Sequence, residues 1–181
     1  MMATQTQKSK TILAIKPQTM GSGANSPWIG LREGAMARII LLIGQASTNA
    51  GTTITLNKAT DSTGATHSDG IYFYDYWLCT DVAGAGTAGT TAQVAARDAL
   101  TKASTTFGTG VNSCTFGSTT TSGNSLCVIE LRAEHLTSIS GVPYPYFQVA
   151  VTAAGAANIL ACIVEVYDDR YQQDSGPSAL T

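Results

Sequence analysis

His67 and His135 are the only two histidines in the 181-residue chain. Neither has a second ligand at a metal-binding spacing such as His-x-x-x-His. A Ser-His-Asp set could be drawn from the many serines, but no Gly-x-Ser-x-Gly elbow singles one out. One histidine falls in a polar turn and the other in a short helical turn, so both read as solvated surface groups. Glu130 and Glu134 could serve as paired acids. Glu130, however, falls on the polar side of its strand near Arg132, where a surface ion pair of roughly 0–1 kcal/mol is the better account. The loop Asp61-Ser-Thr-Gly-Ala-Thr-His-Ser-Asp69 could bind calcium weakly, though it lacks the bidentate acid of a strong site. Gly84-Ala-Gly86-Thr-Ala-Gly89 matches Gly-x-Gly-x-x-Gly literally. Asp98 follows too soon and no second βαβ unit exists, so in a chain with 18 glycines this is a loop. The expectation is a protein that is not an enzyme and takes no cofactor or metal.

Cys79, Cys114, Cys127 and Cys162 lie 35, 13 and 35 residues apart, which matches no Cys-x-x-Cys zinc pattern. Cys79 follows Ile71, Phe73 and Trp77 at a period of two. Cys127 aligns with Ile129 and Leu131, and Cys162 with Leu160, Val164 and Val166. Each therefore points to the apolar face of a strand, where a free thiol behaves as a small hydrophobe. One or two disulfides are the alternative.

The chain that must position these groups is weakly charged. It carries 10 basic and 12 acidic side chains, a net charge of -2, and 12% charged residues, about half the usual share. Lys and Arg are scattered singly, so no basic stripe tracks a nucleic-acid backbone. Low net charge favours association over a free monomer. The apolar run Thr11-Ile-Leu-Ala-Ile15 is too short for a signal peptide and ends at Lys16-Pro17. No stretch is long enough to span a membrane. Synthesis in a cytoplasm is expected, without a membrane partner.

From Ala35 onward the pattern is strand after strand. Met36 to Ile43 is nearly continuous and β-branched, as a strand buried on both faces would be. Thr52 to Lys58 alternates. Gly70 to Thr80 sets Ile71, Phe73, Trp77 and Cys79 against Tyr72, Tyr74, Tyr76 and Leu78. Asn124 to Arg132, Tyr146 to Thr152 and Ala157 to Tyr167 complete the series, with Trp77 and Ile163 expected on inward faces. Thr11–Lys16 and Ser113–Phe116 read as short edge pieces. Thr91 to Ala103 predicts one alanine-faced crossover helix, and Ala133 to Thr137 one further helical turn. Turn clusters at 60–64, 119–124 and 153–155 separate the strands. The fold class is all-β, an antiparallel β-sandwich or jelly roll with one short crossover helix.

Three segments follow. Residues 1–35 read as an extended N-terminal arm, 36–172 as the sandwich, and 173–181 as a flexible tail. The first segment is polar and broken by Gly and Pro, yet carries Ile12, Ile15, Trp28 and Leu31, which would serve as anchors on a neighbour. An ordinary first strand plus a loop is the alternative. Tyr72 and Tyr74 belong to a tyrosine ladder that is either covered by a second layer or a contact surface. Val142-Pro-Tyr-Pro-Tyr146 adds Tyr144 and Tyr146 on a stiff approach to a strand. These eight side chains are the candidate interface residues.

The residues also carry a likeness. Ile39-Ile-Leu-Leu-Ile43, Leu56-Asn-Lys-Ala-Thr-Asp61, Ile129-Glu-Leu131, Ala133-Glu-His-Leu136 and a closing Val164-Glu-Val-Tyr-Asp-Asp-Arg-Tyr171 resemble small capsid auxiliary proteins of tailed bacteriophages. In that family a strand reads Leu-x-Gln-Ala-Thr-Asp, a later one Ile-Glu-Leu followed by Ala-Glu-x-Leu, and a last strand closes near Arg-Tyr. The resemblance spans roughly residues 36–172; positions 83–125 and those before Ala35 match no family pattern. It implies a cement or decoration protein on the exterior of the virion capsid, with the phage major capsid protein and copies of itself, as dimer or trimer, for partners. A phage tail or head–tail joining protein shares the composition. A carbohydrate-binding sandwich would stack sugars on Trp28, Trp77 or the tyrosine ladder.

Overall fold

The computed structural model describes residues 9–32, 34–45, 52–68, 71, 75–80, 101–104, 113–116, 123–136, 144–153 and 155–167. Among these described residues twelve strands run in order: β1 (Ser9–Met20), β2 (Ala24–Asn25), β3 (Ile29–Gly30), β4 (Met36–Gln45), β5 (Thr52–Ala59), β6 (His67–Ser68), β7 (Asp75–Thr80), β8 (Thr101–Ser104), β9 (Ser113–Phe116), β10 (Gly123–Arg132), β11 (Tyr146–Val151) and β12 (Gly155–Tyr167). Sheet A has the order β1-β12-β4-β10-β7-β8, and sheet B the order β2-β11-β5-β6, with β3 on β11 and β9 on β5. All pairings are antiparallel. The fold is an all-β sandwich, as the alternating sequence requires. Among the described residues no helix is long and apolar enough to cross a membrane.

Strand alternation supplies the core from both sheets. Ile39, Leu41, Ile129, Leu131, Cys162 and Val164 of sheet A meet Ile54, Leu56, Phe147 and Val149 of sheet B, each fully buried. Cutting Phe147 back to Ala would leave a cavity costing about 3–5 kcal/mol. The edge pieces at 11–16 and 113–116 are strands at those places.

Several expectations are corrected. The segment read as an arm is, over residues 9–32, part of the sandwich. β1 pairs with β12 from Ser9↔Tyr167 onward, and Ile15, Met20, Ile29 and Leu31 are buried in the core. Its large apolar side chains find their partners within the chain, so no neighbour is needed to cover Ile15 or Leu31. Residues 101–103, expected at the end of the crossover helix, belong to β8; 91–100 lie outside the described residues, as do the glycine motif at 84–89, Tyr72, Tyr74 and the tail from 173. The helical turn at 133 is a 3-10 turn, Ala133–Leu136.

The run Met36 to Ile43 is buried on one face only. Ala37, Ile39, Leu41 and Ile43 point inward, while Arg38 and Leu42 are exposed. Ile163 shares the outer row with Ile40, between the buried Cys162 and Val164. Ile71 and β7, read as parts of one strand, bond to different sheets. Ile71 is buried and donates its N–H to the Leu56 carbonyl of sheet B at 2.6 Å, whereas β7 pairs with β10 in sheet A. Tyr76 packs on the core and pairs with Ile129, and position 77 pairs with Val128.

Candidate binding groove

A groove of about 520 Å³ opens at one end of the sandwich, where four of the eight candidate interface residues converge. Lys10 and Ile12 come from β1, Trp28 and Leu31 from the segment after β2, Tyr146 from the start of β11, and Val166 from the end of β12. Its size falls within the range of ligand clefts.

The segment 26–32 is held by hydrogen bonds that strand pairing alone would not give. The Ser26 N–H donates to the Val149 carbonyl and the Ser26 Oγ accepts from the Val149 N–H, both at 2.9 Å. Gln148 Nε2 donates to the Ser26 carbonyl at 3.0 Å. Beyond Pro27, the Leu31 N–H donates to the Pro145 carbonyl at 2.8 Å, and Gly30 pairs with Tyr146. The Tyr146 ring comes within 3.5 Å of the place a Gly30 β-carbon would occupy.

Trp28 is seated on the loop 61–66. The Asp61 carboxylate organises that loop: Oδ1 accepts from the Thr63 and Ala65 N–H groups and the Thr63 hydroxyl, and Oδ2 from the Thr66 N–H. The Thr63 hydroxyl first, then the backbone N–H donors, hold the Asp61 carboxyl well below the usual carboxylate range. Both carboxylate oxygens thus serve backbone and hydroxyl donors, so the loop read as a weak calcium site is a self-capped turn. It brings Gly64, at φ 72°, under the indole of Trp28.

The chemistry is that of a binding surface. Ile29, Leu31 and Val166 make a buried apolar floor, with Ile12 partly buried beside them. Trp28 and Tyr146 are half-buried aromatics, and Lys10 and Arg32 are exposed cations. No Asp or Glu is among the described lining residues. Such a groove suits an extended segment with apolar or proline side chains and a carboxylate at its edge.

The other candidates lie elsewhere. Ile15 is in the core, and Tyr144 takes the Lys58 Nζ over its ring at 4.8 Å from the centroid. Desolvation lowers the Lys58 pKa. Arg132 pairs with Glu134 at 3.6 Å rather than with Glu130, which stands opposite Arg38 in register. His135 is half-buried, not a free surface group: its Nδ1 accepts from the Arg132 N–H at 3.4 Å. Cys127 and Cys162 are buried thiols outside any disulfide. Among the described residues no three His, Cys, Asp or Glu side chains cluster as a metal site would need. Sequence reasoning missed Lys10, Arg32 and Pro145, which carry no periodic pattern; Gly64 was noted only as turn chemistry.

No known protein family matches the sequence, and no curated protein does. Among solved structures, the SPBc2 prophage-derived protein YomS is similar at 7% identity and a TM-score of 0.40, over 87% of this chain and 92% of that one. A Bacteroides thetaiotaomicron protein proposed to bind sugar gives 8% identity and 0.37, over 81% and 65%. The infectious bursal disease virus VP2 subviral particle gives 11% and 0.23, over 88% and 40%. Likenesses this low carry no argument about function.

Proposed function

We propose that this chain is a structural virion protein that coats the outside of an expanded phage head, and that the groove at Trp28 and Tyr146 seats a segment of the major capsid protein. The observation that carries the reading is the convergence of Ile12, Trp28, Leu31 and Tyr146 in one cationic-rimmed groove. The sequence resemblance to capsid auxiliary proteins supplies the partner class. Low charge and a hydroxyl-rich composition suit a protein packed densely on a lattice. Attachment then uses the folded end of the sandwich, not a free arm. Modest contacts suffice, because the lattice offers many copies of the same site and an interface of several protomers multiplies weak affinities. Binding to the expanded state alone also stabilises that state by mass action.

The test is cosedimentation of the purified chain with expanded and unexpanded heads of the phage that encodes it. Saturable binding to expanded heads, with raised resistance of those heads to heat, is expected. Absence of binding to either form overturns the reading. Trp28 and Tyr146 are also the ring pair a sugar would stack on, so retention on a polysaccharide matrix without head binding favours the carbohydrate alternative.

A further inference from the structure

We infer that the groove takes its occupant as an added β-strand. An extended segment, with apolar and acidic side chains in alternation, pairs its backbone with the free edge of β3 at Gly30. The inference rests on the groove as a binding site, the reading proposed above, and adds how that groove is filled.

The lining shows what the groove faces. Ile29 and Leu31 are buried toward the core, whereas Trp28 is half-buried and Gly30 and Arg32 are exposed on the opposite row. All five line the same groove. Side chains of opposite rows meet one groove where it runs along the edge of their strand. That edge is backbone. The Leu31 N–H donates to the Pro145 carbonyl at 2.8 Å, which turns residue 31 toward β11. Alternation then turns the Gly30 N–H and C=O away from β11, although Gly30 stands opposite Tyr146 in register. Among the described residues β3 pairs with β11 alone, so its other side carries no strand.

Gly30 leaves these groups open. It has no side chain to screen them, and the Tyr146 ring lies 3.5 Å from the place of its missing β-carbon. Edge strands are commonly blunted by proline or by charge. Here Pro27 stands at one end of the stretch and Arg32 at the other. The window between them is about 17 Å long, the reach of roughly five extended residues.

The two walls define the occupant. A strand laid on this edge turns alternate side chains to opposite sides. Its inner row meets Ile12 and Val166, which calls for apolar groups. Its outer row runs beside Trp28 and Arg32. The described lining holds two cations, Lys10 and Arg32, and no acid, so the complement is a carboxylate. A basic strand would meet like charge. A helix would have spent its backbone groups internally and could not use those of Gly30.

The experiment follows hydrogen exchange at the Gly30 amide in the isotope-labelled full chain. The probes are acetylated and amidated Val-Asp-Val-Asp-Val and its Val-Lys-Val-Lys-Val counterpart, each at about 1 mM. The acidic peptide should slow Gly30 exchange about 10-fold or more and leave the Leu31 amide, already paired, as it was. The lysine peptide should not protect Gly30. Expanded heads probe the same edge. Gly30→Pro removes the outward N–H and spares the Leu31 bond, so it should bind heads about 10-fold more weakly than Gly30→Ala. If Gly30→Pro misfolds, the exchange result on wild type decides. An acidic peptide that leaves Gly30 exchange unchanged, equal protection by the lysine peptide, or equal head binding by the two variants overturns strand addition. Head binding by wild type would then still support the attachment reading. Protection of Gly30 by the acidic peptide, with no binding of wild type to heads, overturns the attachment reading and supports the strand site. Gly30 protected before any peptide is added, in a chain of doubled mass, assigns the edge to a second copy and overturns the inference.

Discussion

Trp28 lies so close over Gly64 that an added β-carbon would stand 2.1 Å from its Nε1 and 2.3 Å from its Cε2. One residue forms a wall of the groove and the other makes room for it. Gly64 also holds φ at 72°, a conformation costing other residues about 1–2 kcal/mol. Gly64→Ala should therefore destabilise the fold by at least that much and displace the indole. The check is a thermal melt with tryptophan emission; an unchanged midpoint and spectrum would contradict the seating.

The loop under Trp28 should answer to pH through Asp61. Its folded pKa lies below its unfolded value, so its stabilisation is complete above the ordinary carboxylate range, around pH 4. It is lost as pH falls through the folded value. Asp61→Asn should melt lower than wild type at pH 7, and the gap should close in strong acid. A gap that widens as pH falls would reverse the sign.

Much of the sandwich was legible because alternation reports one buried face directly. Thr52 to Lys58, Asn124 to Arg132 and Tyr146 to Thr152 needed only their periods, and each is a strand. What period cannot report is which face meets the core once a chain changes sheets. Ile71 bonds to sheet B whereas β7 belongs to sheet A, and it is Tyr76, expected on the far row, that packs on the core. Nor does an apolar run say whether its second face is covered, which is why β4 was misjudged. The groove was half legible. Ile12, Trp28, Leu31 and Tyr146 stood out by type, but their convergence depends on β1 and β11 closing over one end. The Trp28–Gly64 contact joins a loop and a turn that share no pattern.

Thr52 is fully buried at the start of β5, with a hydroxyl that has no hydrogen-bond partner. Thr52→Val keeps the shape and removes the desolvated group. It should stabilise the protein by about 1 kcal/mol, read as a higher denaturation midpoint at an unchanged slope. A lower midpoint would mean the hydroxyl is bonded in solution.

Burial pushes the Cys162 thiol up to about 12, and Cys127 is equally enclosed. Only the thiolate reacts with alkylating agents. Iodoacetamide at pH 8 followed by mass mapping should leave both cysteines unmodified in the native protein and label both after unfolding. Rapid native labelling of either would place it at an opening the core does not have.

The most direct measurement is saturation binding to expanded heads, comparing wild type with Tyr146→Ser and with Arg32→Glu. Tyr146 is a half-buried aromatic at the groove wall, and losing such an anchor is worth about 30-fold or more in affinity. Arg32→Glu should slow association and flatten the dependence on salt. Both variants should stay folded at the binding temperature, with the wild-type circular dichroism. A Tyr146→Ser protein that decorates heads with wild-type affinity would contradict the groove as the attachment site.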